Sequence, residues 1–261
     1  MAREQRRLLV APPRLQAAAA AGGCLALSAE ESRYLTRVLR YGPGDGFTLI
    51  DGQGCLWQAE LEAADRARLL QPLEQPLQQQ SAPAPPLVLA AAVVKRDFEL
   101  VVRMAVELGA DRLVPLLCER TAVLGQLKAD RWRSIAIEAA EQCERLWLPE
   151  ISEPLPLAEL LASASGSRYW ATTRAEGLPE LAQRLAASGQ VAQAAAEPAV
   201  PPAALWLACG PEGGWSPAEE QRAVEAGWEP VGLGPRILRS STACVAGLAL
   251  LSSWRTGRWG C

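Results

Sequence analysis

Residues 205–254 read LWLACGPEGGWSPAEEQRAVEAGWEPVGLGPRILRSSTACVAGLALLSSW, and this segment contains two copies of one pattern. A short apolar run, 205–209 and again 228–233, meets a Gly/Pro loop, and a helix follows each loop. Alternating strand, loop and helix predict an α/β domain built on a parallel sheet with crossover helices. We expect the two loops at the carboxyl ends of neighbouring strands, which is the edge where open parallel sheets bind ligands.

Both predicted helices have start signals. Ser216, with Pro217 and Glu219 after it, predicts a capping box worth about 1 kcal/mol, and Gly227 suits a left-handed helix stop. The last helix can be capped by one of three hydroxyl residues, Ser240, Ser241 and Thr242. The glycines of the two loops allow close approach of a backbone to a ligand, although ordinary βα turns also use glycine.

The segments GPEGGWSPAEE (210–220) and LGPRILRSSTA (233–243) resemble the paired signature of the RsmE family. These are bacterial methyltransferases of the SPOUT superfamily that act on uracil N3 in 16S ribosomal RNA, at uridine 1498 near the decoding centre. The resemblance implies a SPOUT-type parallel sheet with a C-terminal trefoil knot whose loops bind S-adenosylmethionine. It also implies a homodimer with its RNA substrate within the small ribosomal subunit.

The resemblance and the chemistry of uracil together assign candidate roles to three sets of residues. The cofactor-binding set is Thr172, Gly210, Gly213, Gly214, Leu233, Gly234, Ile237, Leu238 and Thr242. The catalytic set is Arg239, Arg236 and Arg145, and the RNA-binding set is Arg7, Arg37, Arg40, Lys95 and Arg120. Arginines suit these roles because a planar guanidinium can stabilise an anionic uracil and bind the flanking phosphates.

Three positions depart from the pattern of the family. Ser241 stands where the family has a glutamate, Glu144 where it has a glycine, and Arg96 follows Lys95 where it favours a glycine. If the glutamate is a base or a cofactor anchor in relatives, this chain lacks it; if it caps the last helix, Ser241 can replace it. Two alternatives therefore stay open: a SPOUT methyltransferase that acts on another RNA site, such as a ribose 2′-hydroxyl, and a catalytically silent RNA-binding or ribosome assembly protein.

Composition excludes several kinds of chemistry. The 261 residues include no histidine, which removes imidazole bases, Ser-His-Asp triads and histidine-bound metals. The seven cysteines are dispersed without metal-ligand spacing, so we expect reduced thiols and no metal. No apolar run is long enough to span a bilayer or to form a signal-peptide core, and we therefore expect a cytoplasmic protein without a membrane partner.

The net charge of −3 does not favour nucleic-acid binding, but the distribution of charge does. Residues 1–40 contain seven arginines against three glutamates, and residues 230–261 contain four arginines and no acidic residue. Two regions of the chain are therefore suited to binding phosphate.

The N-terminal region predicts a small β-rich domain with one helix. After a strand at 7–10, the alanine tract predicts a loop, and a capping box at Ser28 predicts a helix that extends through Arg40. Arg37 and Arg40 are three residues apart and would share one face of that helix. The segment RYLTRVLRYGPGDGFTLIDGQG (33–54) resembles the PUA-like RNA-binding domain of the family. A helix face that is merely solvated is the alternative interpretation of these arginines.

Domain boundaries follow from a change in composition. Residues 72–86 are rich in proline and glutamine and predict a linker between a PUA-like domain at 1–71 and a SPOUT methyltransferase domain at 87–261. The second domain opens with the apolar run 87–94, typical of a central parallel strand. Helices are predicted at 98–109 and 129–145, and the alanine- and proline-rich segment 188–202 predicts a flexible insertion without chemistry.

Overall fold

The computed structural model describes residues 6–122, 127–173, 177–194 and 204–259. The chain divides into two compact units. The small unit comprises residues 1–82 and 137–148, and the large unit comprises residues 83–136 and 149–261. Composition alone did not predict that residues 137–148 belong to the same unit as the N-terminal part of the chain.

The small unit is built on a six-stranded sheet. Its strands are β1 (Arg7–Leu9), β2 (Cys24–Ala26), β3 (Gly46–Ile50), β4 (Cys55–Ala63), β5 (Arg66–Leu69) and β6 (Gln78–Gln79). They lie in the order β1-β3-β4-β5-β2, with β6 beside β4, and only the β1–β3 pair is parallel. Alternate side chains of β4 (Trp57, Ala59 and Leu61) are buried in the core with Phe47.

The helices of the small unit differ from the prediction in two places. The alanine tract forms a helix, α1 (Pro12–Ala20), and not a loop. Proline suits the first turn of a helix, alanine is the best helix former, and Leu15 and Ala18 reach the core. The capping box at Ser28 is confirmed, but helix α2 (Ala29–Arg33) passes into a π-helical turn at Tyr34–Val38 and ends there.

The segment 72–86 is not only a linker. Gln78 and Gln79 pair with Leu56 and Cys55, so this segment adds strand β6 to the small sheet. Leu73 packs against the core of the small unit. Composition indicated too few apolar residues for packing, whereas backbone hydrogen bonds to β4 need none.

The large unit contains a seven-stranded sheet in which every pairing is parallel, as predicted. Its strands are β7 (Leu87–Ala92), β8 (Arg112–Leu117), β9 (Glu150–Ile151), β10 (Leu155–Pro156), β11 (Ser167–Ala171), β12 (Leu205–Cys209) and β13 (Glu229–Val231). They lie in the order β10-β8-β7-β12-β11-β13, with β9 beside β8. The expectation that β12 and β13 are neighbours is wrong, because β11 lies between them.

The helices that belong wholly or partly to the large unit are α3 (Phe98–Glu107), α4 (Ala129–Gln142), α5 (Leu157–Ser163), α6 (Leu181–Ala194), α7 (Pro217–Glu225) and α8 (Ser240–Trp259). The first part of α4 belongs to the large unit and its end to the small one. Helix α8 packs against α3, α6, β7 and β12. None of the helices in the described part of the chain is long and apolar enough to cross a membrane.

Three helix boundaries correct the predictions. Helix α4 ends at Gln142, three residues before Arg145. Helix α6 includes residues 188–194, which were predicted to be a flexible insertion; residues 195–202 lie outside the described residues. Helix α8 begins at Ser240, and its first backbone bond runs from the N–H of Ala243 to the carbonyl oxygen of Arg239. Arg239 therefore occupies the N-cap position, and the prediction that Ser240, Ser241 or Thr242 caps this helix is wrong.

Candidate functional site

A cavity of about 410 Å³ lies at the carboxyl ends of β11 and β13 in the large unit. Small-molecule sites have volumes of roughly 300–1,000 Å³, so this cavity can hold a cofactor. Its walls are the end of β11, the start of α8 and the loops 177–180 and 232–238. Five of the predicted cofactor-binding residues line it, namely Thr172, Leu233, Gly234, Ile237 and Leu238.

Among the described residues, the other predicted cofactor-binding residues do not line this cavity. Gly210, Gly213 and Gly214 belong to the loop after β12, and Thr242 is an exposed residue of α8. The Ser240 hydroxyl donates to the carbonyl oxygen of Gly210, which joins the start of α8 to that loop. The two loops are therefore connected through α8, although their strands are not neighbours.

The loop after β12 is held by an indole and a guanidinium. The Trp215 ring stacks on Trp170 with centroids 3.8 Å apart, and its Nε1 donates to the Ala171 carbonyl oxygen at 2.9 Å. The Nη1 atom of Arg120 donates to the carbonyl oxygens of Gly213 and Trp215, both at 2.9 Å. Arg120, predicted to bind RNA, therefore contacts a loop predicted to bind cofactor.

The start of α7 is fixed by a buried carboxylate. Ser216 and Glu219 form the predicted capping box, in which Ser216 Oγ accepts from Glu219 N and a Glu219 carboxylate oxygen accepts from Ser216 N. The other carboxylate oxygen of Glu219 accepts from the backbone N–H of Glu119 at 2.9 Å, after β8. Burial and the Glu219 charge raise the pKa of the nearby Cys118 thiol to about 12, which keeps it protonated. Helix α7 then ends with Gly227 in the left-handed region (φ +78°), as predicted.

Polar side chains at the cavity are arranged by the backbone around it. The Thr172 hydroxyl donates to the Glu220 carboxylate, while the Thr172 N–H donates to the Val231 carbonyl oxygen. The Glu180 carboxylate accepts the N–H of Gly234 at 2.7 Å and lines the cavity. No local sequence pattern predicts Glu180 as a site residue, since its long-range pairing with Gly232 brings it there.

The fit of S-adenosylmethionine rests on the backbone of this cavity. Gly234 has φ +107°, a conformation suited to glycine, and nothing lies within 4 Å of where its Cβ would be. The open space beside Gly234 allows a ligand to contact the backbone directly. Glu180 and the loop backbone supply acceptors and donors for hydroxyl and amine groups, so the residues present fit this cofactor.

The candidate arginines are divided between the two units. Arg236 lines the cavity, and Arg239 lies one residue before α8 with an exposed side chain. Arg145 belongs to the small unit and is half-buried. Lys95, predicted to bind RNA, is exposed after β7 in the large unit.

The RNA-binding candidates of the small unit have different environments. Arg37 is exposed in the π-helical turn, and Arg40 is exposed beyond it with φ +57°. The prediction that they share one helix face is wrong, because the helix ends between them. The side chain of Arg7 is only 13% exposed, and it donates to both the carbonyl oxygen and the carboxylate of Glu144.

Glu144 occupies the position that usually holds glycine in the resembled family, and its backbone explains that preference. Its φ is +62°, in the left-handed region that favours glycine. The N–H of Arg145 donates to the Ala140 carbonyl oxygen at 3.0 Å, which is the bond of a Schellman helix end. Arg7 contacts both the backbone and the side chain of Glu144, and these contacts stabilise the unusual conformation. Asp97, two residues after Lys95, is also left-handed (φ +66°).

The described residues contain no group of three His, Cys, Asp or Glu side chains that could hold a metal ion. The cavity and its neighbouring loops therefore offer arginines, a few carboxylates and backbone groups. Such a site can position reactants and stabilise negative charge.

Two family models match the chain. An RNA methyltransferase domain matches residues 81–252, and an RNA methyltransferase PUA domain matches residues 27–70. Among curated proteins, the ribosomal RNA small subunit methyltransferase E of Synechocystis is 38% identical over 254 residues, which are 95% of this chain and 77% of that protein. The protein of the same name from Mycobacterium tuberculosis is 30% identical over 91% of this chain and 89% of its own length.

Solved structures have the same fold. A putative methyltransferase from Legionella pneumophila, in complex with bound SAM, has a TM-score of 0.77 and 26% identity over 96% of this chain and 98% of that one. A ribosomal RNA small subunit methyltransferase E from Neisseria gonorrhoeae, bound to S-adenosyl methionine, has a TM-score of 0.73 and 24% identity over 96% and 98% of the two chains.

Proposed function

The chain belongs to the ribosomal RNA small subunit methyltransferase E family, and we propose that it transfers a methyl group from S-adenosylmethionine to N3 of a uracil in 16S ribosomal RNA. The position proposed is uridine 1498, the known target of the family. The observation that carries the proposal is the cavity at the ends of β11 and β13, lined by the loop 232–238.

The proposed chemistry needs little from the protein beyond position and charge. S-adenosylmethionine, when bound, supplies a methyl group on a sulfonium, which is a good leaving group. The uracil N3 proton is weakly acidic, so the negative charge left when it departs needs stabilisation. Arg236 at the cavity and Arg239 before α8 are the candidates for that task in the large unit. The base itself has to be unstacked from its neighbours before it can enter a site of this kind.

Arg145 is the third arginine proposed to act in catalysis, and this proposal rests on the resemblance to the family and not on the cavity. It belongs to the small unit with Arg7, Arg37 and Arg40, which are proposed to contact RNA. We propose that Lys95 and Arg120 contribute to RNA binding from the large unit. The two-domain division, with a PUA-like part before residue 72 and a methyltransferase part from residue 87, also stays a prediction, as does the trefoil knot.

The proposed assembly is a homodimer, with the small ribosomal subunit in the cytoplasm as the place of action. Helix α8 supports the dimer because its apolar run leaves Val245, Ala249 and Leu250 partly exposed in the single chain. Light scattering at micromolar concentration should give twice the chain mass of 27.9 kDa, and a monomer would contradict the dimer.

Calorimetry with S-adenosylmethionine, followed by methyl transfer to 16S RNA, tests the function directly. Mass spectrometry of small-subunit RNA from a deletion strain should show loss of one methyl group on a uracil. Arg239→Ala should lower turnover more than RNA affinity, since it removes charge stabilisation at the reacting base. Arg103→Ala is the matched control, because Arg103 pairs with Glu107 on the surface of α3.

Two results would favour the alternatives. Cofactor binding with methylation at a different nucleotide or at a ribose would indicate another RNA target. RNA binding without cofactor binding would indicate a silent assembly protein, for which the serine at position 241 is the motivating departure.

A further inference from the structure

A second cavity, of about 480 Å³, lies in the small unit and has no role in the chemistry described above. We call it the N-terminal cleft. Its walls come from β1, α2, the π-helical turn and the end of α4, and its lining consists of Arg6, Arg7, Leu8, Glu30, Glu31, Tyr34, Glu138, Glu141 and Gln142. Its volume is that of a small-molecule site, large enough for a nucleobase.

Three polar groups in the cleft lack protein partners. One oxygen of the Glu141 carboxylate accepts the Leu9 N–H at 2.7 Å, and within the described residues the other oxygen accepts no hydrogen bond. The Tyr34 hydroxyl and the Gln142 amide likewise make no hydrogen bond to the described part of the chain. Polar groups that converge on a concave surface without partners are available to a ligand.

Most of the neighbouring charged side chains form ion pairs within the protein. Arg7 binds Glu144, and Glu31 binds Arg14 in a bidentate pair at 2.6 and 2.8 Å. Burial raises the pKa of Glu141 to about 7, with nearby glutamates adding to the effect. Burial also raises the pKa of Tyr34, with Glu141 adding to the shift and Arg6 opposing it, and all three side chains line the cleft.

The position of Tyr34 is unusual for a helix residue. It begins the π-helical turn, and such turns are rare and concentrate at functional sites. A half-buried aromatic ring beside an amide and a carboxyl group is the set of side chains that proteins use for unpaired bases. Aromatic rings stack on the base, Gln can bond an adenine edge, and Glu accepts from the amino group of cytosine.

We propose that the N-terminal cleft binds one unpaired nucleobase of the RNA substrate, with Tyr34 against its face and Glu141 and Gln142 on its edge. The inference rests on the proposed function, because it assumes an RNA substrate. The cleft presents carboxyl oxygens as acceptors, which suits a base that carries an exocyclic amino group. The base is a neighbour of the target and not the target uracil itself, because the target is assigned to the cavity of the large unit that holds the methyl donor.

The charge of the cleft also selects a base over a phosphate. Four glutamates and two arginines line it, and Arg7 is already paired with Glu144, so the cleft has more acidic than basic side chains and disfavours a phosphate. Exposed Arg33 and Arg37 lie in the same chain segment as Tyr34 and are available to the backbone of the same nucleotide. Metal binding is the competing occupant, but the described residues contain no group suited to hold an ion.

RNA affinity of cleft variants tests the proposal, measured with an RNA fragment around the target uracil. Tyr34→Leu should raise the Kd by about fivefold to a hundredfold, the range expected for the loss of one base stack. Tyr34→Phe keeps the ring and should retain most of the affinity. Glu141→Gln should weaken binding, while Glu60→Gln on β4, outside the cleft, is the matched control. The affinity for S-adenosylmethionine and the melting temperature, measured for each variant, report whether the fold is retained.

Abasic substitution in the RNA identifies the base. Removing each base near the target in turn should reveal one position at which wild type and Tyr34→Leu bind with equal affinity. If the folded variants Tyr34→Leu and Glu141→Gln bind every RNA as wild type does, the proposal is overturned while the proposed function stands. If the wild-type protein fails to bind RNA at all, both are overturned.

Discussion

The guanidinium of Arg120 lies across Gly213: its Nη1 donates to the Gly213 carbonyl oxygen at 2.9 Å, and a Cβ on Gly213 would lie 3.3 Å from the Arg120 Cβ. A Cβ at position 213 would make a tight contact, so the Arg120 side chain would have to shift by a few tenths of an ångström to accept one. A larger residue at position 213 would displace Arg120 whether or not a cofactor is bound. Substitutions of Arg120 therefore test the role of the loop without a change at Gly213.

Arg120→Ala should lower the affinity for S-adenosylmethionine by about tenfold. The substitution removes the hydrogen bonds to Gly213 and Trp215, and each such bond contributes about 1 kcal/mol to holding the loop. Calorimetry with the cofactor measures the effect.

Arg120→Lys separates this role from a phosphate contact. A lysine keeps the charge but has no planar guanidinium with which to join the two carbonyl oxygens. We expect Arg120→Lys to bind the cofactor as weakly as Arg120→Ala. If Lys restores wild-type cofactor and RNA affinity, Arg120 acts through its charge alone.

Gly234→Ala should weaken cofactor binding by about tenfold or more. The residue has φ +107°, so alanine there costs about 1–3 kcal/mol of backbone strain even though the space for its methyl group is open. Relief of that strain moves the loop that lines the cavity. Gly257→Ala is the control, since Gly257 lies in α8 with nothing within 4 Å of its Cβ position, and alanine favours a helix. If the two variants bind the cofactor with equal affinity, the positive-φ conformation of Gly234 does not contribute to cofactor binding.

The unfolding free energy should fall with rising pH because of Glu141. Its folded-state pKa, about 7, is raised above the ordinary value of 4.5, so the folded state holds this proton more tightly than the unfolded state. The stabilisation is complete below about pH 4.5 and is lost as the pH rises through about 7, for a total of up to about 3 kcal/mol.

Glu141→Gln should remove this dependence. The groups that face Glu141 are Arg6, Arg7, Glu30, Glu31, Tyr34 and Glu138. Most carboxylates titrate below about pH 5, so thermal melting between about pH 5 and 8 isolates the contribution of Glu141. If the melting temperature of the wild type falls no more across this interval than the melting temperature of Glu141→Gln, the raised pKa of Glu141 is contradicted.

Local chemistry explains which parts of the fold were predictable. The capping boxes at Ser28 and Ser216 and the left-handed Gly227 depend on residues within a few positions of each other, and all three were confirmed. The apolar run that begins at Leu87 likewise predicted β7, because a strand covered on both faces has to be apolar throughout.

Long-range pairing explains the rest. The place of β11 between β12 and β13 is set by hydrogen bonds between segments far apart in sequence, and no local pattern encodes it. The same is true of Glu180 at the cavity and of β6 on the small sheet. The alanine tract 17–21 carries no alternation of polar and apolar residues, and the burial of Leu15 and Ala18 adds to the helix propensity of alanine in making this segment a helix.

Arg37→Ala combined with Arg40→Ala should raise the RNA dissociation constant without changing cofactor affinity. Both side chains are exposed, and a phosphate contact that is lost should flatten the salt dependence of binding by roughly one unit of slope for each arginine. The matched control is Arg66→Ala with Arg68→Ala on β5, because both of these arginines pair with Glu62. The helix ends between Arg37 and Arg40, so they do not form one charged face, and each should therefore contribute separately and additively. A double variant that binds RNA like wild type across the whole salt series would mean that both arginines are only solvated, leaving the RNA contacts to the remaining arginines.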